Sequence, residues 1–315
     1  MFGVRILVTG ATGFVGSCLA RRLIVDGYDV HIFTRSSSDK WRIRDLLTHV
    51  TEHDVDLRDP DRIRERVSAI RPEVIFHAAV YGGFSFQNDA ASIYAMNVQG
   101  TIQLLSACER AGFAAFINLG SSSEYGMKSA PMRETDLLEP IGDYAVSKAA
   151  ATLYCRTRAV EQQFPVVTLR LFSPYGPWDD PKRYIPYVIR SMLSRQRPQV
   201  SVPTSVRDYI YIDDAVEACV RAMQGTPCTG EIINVGSGSQ VSIGEVAGML
   251  TEIIGMEFEP QWGKNVRKKI EPTIWSADIG KSKQLWGWDP IVTLREGLIR
   301  TVEWNKEHMR GDTGN

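Results

Sequence analysis

Three glycines between a strand and a helix constrain the fold more than any other feature of this sequence. The stretch VRILVTGATGFVGSCLA places Gly10, Gly13 and Gly16 after a short apolar run and at the start of a segment with helical period. A tight turn of this kind lets backbone N–H groups approach a pyrophosphate at the helix N-terminus, where the helix dipole favours an anion. The triplet therefore predicts a dinucleotide site in the first strand–helix unit of a parallel sheet.

The rest of the chain continues the alternation of strands and helices. Short runs rich in Val and Ile follow at residues 30–33, 74–77, 116–119, 166–171 and 232–235, with longer segments of helical period between most of them. This order predicts an α/β fold, a doubly wound parallel sheet of Rossmann type with helices on both faces.

Four prolines mark the predicted exit from the sheet. The stretch SPYGPWDDPKRYIP, which begins at Ser173, disfavours a continuous helix or a central strand. We therefore predict an NADP-binding domain over residues 1–172, with a return of about 204–235 to the sheet. Residues 173–203 and 236–315 are predicted to form a smaller C-terminal α/β lobe that binds the substrate.

Composition excludes some classes of partner. The 36 Lys and Arg nearly cancel the 37 Asp and Glu, which argues against a dedicated nucleic-acid or anionic-membrane surface. No stretch approaches the roughly 18 apolar residues of a membrane span, and the N-terminus lacks a signal-peptide pattern, so we expect a cytoplasmic protein. The five cysteines form no CxxC pair, which predicts buried thiols and no metal site or disulfide.

The end of the second strand bears on the choice of cofactor. NAD sites usually place there an acidic residue that binds the ribose 2′-OH, but this chain has Thr34 and Arg35, followed by Ser36. A guanidinium beside hydroxyls suits a 2′-phosphate, so we predict NADP(H) rather than NAD, the alternative being an ordinary solvated loop arginine. Asp56, after the third strand, is either an adenine contact or a turn-capping residue.

A tyrosine and a lysine four residues apart point to acid–base chemistry. Tyr144 and Lys148, in YAVSK, begin a segment of helical period and therefore share one helix face. Tyrosine ionises near about pH 10, so it can exchange protons near neutrality only when a positive charge stabilises the phenolate. Lys148 could supply that charge.

Taken together, these motifs resemble those of the extended short-chain dehydrogenases/reductases, in particular the nucleotide-sugar epimerases, dehydratases and reductases. The resemblance also includes HAA, NVQGT, RLFSPYGP, RDYIYIDD, INVGSG, LWGWDP and LREGLIRTVEW, and it spans almost the entire chain. The individual reaction types share all these motifs.

The resemblance implies a set of site residues. It implies that Ser121 and Tyr144 bind the oxygen at the reacting carbon, with Lys148 as the third catalytic residue. The cofactor contacts that it implies are Gly10, Thr12, Gly13, Phe14, Val15, Arg35, Ser36, Asp56, Leu57, Ala78, Tyr144 and Lys148. The implied substrate contacts are Tyr81, Ser122, Ser123, Glu124, Ser173, Arg207 and Arg267.

Several of these assignments have alternatives. Tyr81 either lines a sugar pocket or fills apolar space, and Arg267 either binds phosphate or lies in a solvated basic turn. Arg207 is the implied ligand of the nucleotide diphosphate, while Ser173 stands where the family commonly has Asn. Asn97 is either an active-site residue or a packed structural one. The resemblance further implies a homodimer through the helices at about 97–112 and 144–164.

The residues after Ser121 bear on the reaction. Dehydratases of this kind have an acid one or two positions after the catalytic Ser or Thr, where this chain has Ser122 and Ser123. Together with Arg35 and Ser173, this favours an NADPH-dependent reductase of a nucleotide-linked 4-keto-6-deoxyhexose. The alternatives are a nucleotide-sugar 4-epimerase, a 4,6-dehydratase and, in another class, a non-catalytic NADP(H)-binding sensor or scaffold.

Overall fold

The computed structural model describes residues 3–224, 229–256, 259–263 and 273–311. Its strands are β1 (Arg5–Thr9), β2 (Asp29–Thr34), β3 (Thr51–Asp54), β4 (Val74–His77), β5 (Ala115–Ser121), β6 (Val166–Leu171), β7 (Ser173–Tyr175), β8 (Val206–Arg207), β9 (Tyr209–Tyr211), β10 (Ile232–Val235) and β11 (Val241–Ser242). Its helices are α1 (Phe14–Val25), α2 (Pro60–Ile70), α3 (Ala90–Tyr94), α4 (Gly100–Ala111), α5 (Asp143–Gln162), α6 (Tyr184–Leu193), α7 (Ile212–Gln224), α8 (Ile243–Ile254), α9 (Gly280–Trp286) and α10 (Leu294–Gly311).

Seven parallel strands form the central sheet, in the order β10-β6-β5-β4-β1-β2-β3. The chain winds outward from β1 to one edge and then returns to build the other half from β4. This confirms the predicted doubly wound, Rossmann-type sheet, and it places a topological switch point between β1 and β4.

Helices cover both faces of this sheet because its strands are apolar on both sides. In β1, Ile6 and Val8 belong to the apolar cluster that includes Leu19 of α1, whereas Leu7 belongs to the cluster on the other face. Every residue of β4 and β6 is buried. Strands that are buried on both faces have continuous apolar sequences, and these apolar runs identified the strands in the sequence.

The predicted return of about 204–235 to the sheet is only partly correct. Residues 232–235 form β10, which pairs with β6 at the edge. The segment Tyr209–Tyr211 instead pairs with β7 in a separate two-stranded sheet, and β8 pairs with β11 in another. β10 occupies the position beside β6, so β9 does not pair there. The Ser173 N–H instead donates to the Asp208 carbonyl at 2.9 Å, at the start of the pairing between β7 and β9. The division into two lobes stays a prediction.

The described cysteines are mostly buried thiols, as the sequence predicts. Cys108, Cys155 and Cys219 are buried free thiols, and Cys18 is a partly buried free thiol on α1. Cys228 lies outside the described residues. In the described ranges, no helix combines the length and the apolar character needed to cross a membrane.

Candidate active site

The carboxyl ends of the strands open into a cavity of about 1150 Å³. This is the edge at which doubly wound sheets bind their ligands. The cavity brings together most of the predicted site residues: Gly10, Thr12, Gly13, Phe14, Val15, Arg35, Leu57, Ala78, Ser121, Ser122, Ser123, Tyr144, Lys148, Ser173 and Arg207.

The glycine turn has the shape that a pyrophosphate requires. Gly10 has φ +72°, and a Cβ built on it would lie 2.5 Å from the Ala79 nitrogen. A Cβ on Gly16 would lie 2.3 Å from the Gly10 carbonyl oxygen, so α1 can pack against the turn only with glycine there. The first turn of α1 holds no acidic residue that would repel an anion. These residues therefore fit a dinucleotide.

At the end of β2, only one of the two predicted phosphate-binding side chains lines the cavity. Arg35 does so, whereas Ser36 is exposed and donates its backbone N–H to the Asp54 carboxylate at 2.9 Å. The contact of the Ser36 side chain with a phosphate stays a prediction. Thr34 is buried and donates to Glu52, which also pairs with Lys40 at 2.5 Å.

Asp56 stands between Val55 and Leu57, which both line the cavity, but it is not itself among the lining residues. Its carboxylate accepts hydrogen bonds from the Arg58 backbone N–H at 2.9 Å and from the Arg58 guanidinium. These bonds hold the pKa of Asp56 below its usual range. Asp56 therefore caps this turn, its contact with adenine stays a prediction, and Leu57 beside it lines the cavity.

The three predicted catalytic residues meet where β5 ends and α5 begins. Lys148 is buried and donates from Nζ to the Leu119 carbonyl at 2.6 Å, which fixes its position under the cavity. Burial raises the pKa of Tyr144, while a hydrogen bond with Ser121 and the charge of Arg183 oppose the rise. Burial also lowers the pKa of Lys148. Two hydroxyls and an amine are therefore positioned for proton transfer.

Glu124 points away from the cavity, so the prediction that it contacts the substrate is wrong. Residues 122–125 form a 3₁₀ turn that directs this side chain inward, where it is fully buried. Its carboxylate accepts hydrogen bonds from the Ser121 N–H at 2.8 Å, the Thr152 hydroxyl at 3.0 Å and Arg170 Nε at 2.8 Å. Burial raises the pKa of Glu124, and the charge of Arg170 opposes the rise.

Ser121 is the N-cap of this turn as well as a residue of the cavity. Its hydroxyl accepts the Ser123 N–H at 3.2 Å while its own N–H donates to Glu124, a reciprocal capping box. Arg170 is also buried, and its guanidinium lies 4.5 Å from the centre of the Tyr125 ring. A buried ion pair thus supports the loop that carries the Ser121 hydroxyl.

The Asn97 side chain binds the backbone of Tyr81 in the loop after β4. The Asn97 amide accepts the Tyr81 N–H at 2.8 Å, donates to the Tyr81 carbonyl at 2.7 Å and donates to the Ser147 hydroxyl at 2.9 Å. It therefore ties the loop after β4 to α5. Tyr81 packs against an apolar cluster and is not among the lining residues, which favours the alternative that it fills apolar space. The following residues, Gly82 to Ser85, line the cavity.

Ser173 and Arg207, two of the predicted substrate contacts, also line the cavity. The Arg207 guanidinium lies 5.9 Å from the centre of the Trp275 ring, which also lines the cavity. Asp208 is buried behind it and accepts the backbone N–H groups of Ser237 at 2.6 Å and Ala277 at 2.9 Å. Arg267, with Lys268 and Lys269, lies outside the described residues.

Four charged residues of the cavity were missed from the sequence: Arg42, Asp143, Asp180 and Arg183. The Arg183 guanidinium lies 5.3 Å from the centre of the Phe84 ring, and its charge acts on Tyr144. The sequence signal for Asp180 and Arg183 was the charged run DDPKR inside a proline-rich stretch. Such a stretch forms no regular helix or strand, so its charged side chains are free to line a site. Arg42 had no comparable local signal.

The chain matches known proteins over almost its full length. Residues 6–236 match the model of the NAD dependent epimerase/dehydratase family. An uncharacterized UDP-glucose epimerase, YtcB, of Bacillus subtilis is 28% identical, covering 98% of this chain and 100% of that one. The structure of a Thermotoga maritima UDP-glucose 4-epimerase with UDP-glucose superposes with a TM-score of 0.90 at 29% identity, covering 97% of this chain and 99% of that chain.

A second solved structure has both ligands bound. A Bacillus cereus UDP-glucuronic acid 4-epimerase, in complex with UDP-glucuronic acid and NAD, has a TM-score of 0.87 at 29% identity, covering 96% of this chain and 99% of that chain. The family match covers most of the sequence, and the described fold and cavity agree with it. The chain is therefore an enzyme of the NAD-dependent epimerase/dehydratase family.

Proposed function

We propose that the protein is a 4-epimerase of a UDP-linked hexose or hexuronate, with NAD as its cofactor. The observation that carries this proposal is the hydroxyl pair of Ser121 and Tyr144, which line the cavity beside Lys148. Such a pair suits reversible proton transfer at a carbinol oxygen. The named activities of the relatives at 27–29% identity support epimerisation over net reduction.

Each residue has a defined task in this proposal. The nicotinamide, when bound, supplies the chemistry of taking hydride from C4 and returning it. Tyr144 takes the proton of the C4 hydroxyl during oxidation and gives it back during reduction. Ser121 hydrogen-bonds the same oxygen, and Lys148 offsets the negative charge that forms on Tyr144. Arg207 binds the diphosphate, while Ser122, Ser123 and Ser173 offer hydroxyls to the sugar.

The acids in the cavity argue against dehydration. Removal of water next to a 4-keto group needs a carboxylate that can reach the sugar. Asp143 is exposed and accepts the Tyr94 hydroxyl at 3.3 Å, and Asp180 faces the Arg42 guanidinium at 3.5 Å. Glu124 is turned inward. These contacts therefore favour oxidation and reduction at C4 over removal of water from the sugar.

The experiment is direct. Purified protein is incubated separately with UDP-glucose and UDP-glucuronate and a trace of NAD, and the products are followed by NMR. We expect the 4-epimer to form without net NADH, and Tyr144→Phe to lower the rate by about 10² to 10⁴ because the proton donor is lost. Formation of a 4-keto-6-deoxy sugar, or no conversion by protein that binds NAD, would exclude the epimerase; the latter would favour the non-catalytic sensor.

A 4-ketoreductase that uses NADPH is the second candidate, and Arg35 favours it. This cation lines the cavity at the end of β2, where an NAD site would have a carboxylate. The test is to compare the affinities of NADPH and NADH in wild type and in Arg35→Ala. Loss of affinity for NADPH alone, with NADPH consumed on a 4-keto-6-deoxy nucleotide sugar, would favour the reductase.

We also propose that the enzyme is a cytoplasmic homodimer that pairs through α4 and α5. Exposed apolar residues recur at seven-residue spacing along α5, at Val146, Leu153 and Val160. Such a stripe suits burial against a second copy. Sedimentation of wild type as a dimer and of Leu153→Glu as a monomer would support this arrangement, and a monomeric wild type would exclude it.

A further inference from the structure

An arginine outside the catalytic set fastens the glycine turn to the segment that follows β7. Arg42 lies between β2 and β3, and its side chain is buried. It donates from Nε to the Trp178 carbonyl at 2.7 Å and from Nη1 to the Thr12 carbonyl at 3.3 Å, while Nη2 lies 3.5 Å from the Asp180 carboxylate. We call these four residues, Thr12, Arg42, Trp178 and Asp180, the Arg42 clasp.

Trp178 is held in an unusual conformation at this point. Its φ of +69° lies in the left-handed region, which a bulky side chain rarely adopts. Its ring is held from several sides: the Arg21 guanidinium lies 3.9 Å from the ring centre, and the Trp304 and Trp41 rings lie at 5.2 Å and 5.9 Å. Strained residues persist only where their surroundings fix them, and they cluster at ligand clamps.

The buried guanidinium of Arg42 relies on these contacts to satisfy its charge. Burial lowers the pKa of Arg42, and the charges of Asp180 and Asp179 oppose that effect. If the segment after β7 moved away, the guanidinium would lose a backbone acceptor and its carboxylate partners at the same time. A desolvated cation without partners is costly, so the closed arrangement is strongly favoured.

Thr12, Arg42 and Asp180 line the same cavity as Gly10 and Gly13. We propose that Arg42 is a positioning residue whose clasp retains the dinucleotide, because the segment after β7 cannot leave the glycine turn until Arg42 releases it. The inference rests on the proposed dinucleotide site and is independent of which sugar is epimerised. A cofactor used twice in each turnover benefits from slow release.

The test measures release and needs no sugar substrate. Wild type and variants are loaded with NADH or NADPH, whichever wild type binds, then mixed with excess oxidised dinucleotide, and the decay of energy transfer from tryptophan gives the release rate. Arg42→Ala should release the dinucleotide about tenfold to hundredfold faster, the factor expected for a lost charged hydrogen bond. Arg42→Lys keeps the charge but cannot make the forked contacts, so its release should also be faster. Arg44→Ala, an exposed neighbour, should stay within about twofold of wild type.

A second measurement separates retention from general stability. The thermal midpoint of each variant is recorded with and without dinucleotide, because a ligand raises the midpoint according to its affinity. A clasp predicts that this rise shrinks in both Arg42 variants. An equal fall of both midpoints with an unchanged release rate, in whichever Arg42 variant folds, would overturn the proposal. If wild type binds neither dinucleotide, the proposed dinucleotide site is refuted, and the clasp with it. If wild type shows no epimerase activity but Arg42→Ala still releases the dinucleotide faster, only the proposed function is refuted and the clasp is supported.

Discussion

The turn after β1 and the turn after β5 both lie at the carboxyl edge of the sheet, but they reach their shapes by opposite means. The first relies on missing side chains, since the backbone approaches so closely at Gly10 and Gly16 that a Cβ would clash. The second relies on a buried side chain, since Glu124 and Arg170 hold the capped turn around Ser121 from behind. A ligand-binding loop can therefore be fixed either by backbone shape or by a buried charge network.

Gly10→Ala is the strongest way to test the first mechanism. The new methyl group would lie 2.5 Å from the Ala79 nitrogen at φ +72°, so the turn must change shape. We expect dinucleotide affinity to fall by at least about 100-fold, measured by fluorescence titration. Gly27→Ala is the matched control, because Gly27 has φ +82° but nothing within 4 Å of its added Cβ. It should cost only about 1–2 kcal/mol of stability and leave affinity unchanged. Equal affinity losses in both variants would contradict the argument from close approach.

Glu124→Ala tests the second mechanism. It leaves Arg170 charged and buried, so the free energy of unfolding should fall by about 3–5 kcal/mol in urea denaturation, and epimerase activity should fall as Ser121 loses its anchor. Glu139→Ala is the control: its ion pair with Lys128 is half-exposed and should contribute about 1 kcal/mol or less. Glu124→Leu combined with Arg170→Met should recover most of the stability, because no charge is left unpaired. A cost for Glu124→Ala as small as that of the control would refute the role of the buried pair.

Asp179→Asn is expected to have the smallest effect, and it tests the segment that closes on the glycine turn. Burial raises the pKa of Asp179 to about 7. Between about pH 4 and pH 7 the folded chain then binds a proton that the unfolded chain has lost, so this residue's contribution to stability falls as pH rises through that range. Asn mimics the protonated carboxyl, so the gain of Asp179→Asn in unfolding free energy over wild type should be larger at pH 8 than at pH 5, by on the order of 2 kcal/mol.

Thermal unfolding at both pH values measures this difference. The exposed carboxylate Asp289 provides the control, and Asp289→Asn should show no such dependence on pH. A gain for Asp179→Asn that is equal at pH 5 and pH 8 would contradict the assignment of the effect to Asp179 ionisation.

The first turn could be predicted from the sequence, and the second only in part. Glycine spacing and apolar runs are local patterns, so the parallel sheet, Gly10 and the positions of Tyr144 and Lys148 followed from them. The orientation of Glu124 depends on Arg170 and Thr152, which come from other parts of the chain. No rule of spacing distinguishes an extended loop, in which Glu124 would face the substrate, from the 3₁₀ turn that is present.

Other contacts were out of reach for the same reason. The sequence left Asp56 and Tyr81 open between a ligand contact and a structural role, and it did not indicate that Arg58 binds the first or that the Asn97 amide binds the backbone of the second. Arg42 was missed because its contacts lie 30 to 138 residues away along the chain. Side chains that bridge distant segments leave no periodic signal in the sequence.

The capping box at Ser121 has a consequence for reading mutant kinetics and for enzyme redesign. In the proposed mechanism one oxygen atom serves both as the cap of the turn and as a hydrogen-bond donor to the reacting group, so a change at this position alters both stability and rate. Ser121→Ala would lower the fraction of correctly folded enzyme as well as the rate of each active molecule. Threonine is the replacement that keeps both tasks, because it retains a capping hydroxyl. Any library that varies this loop for a new substrate therefore selects for stability and turnover through the same atom.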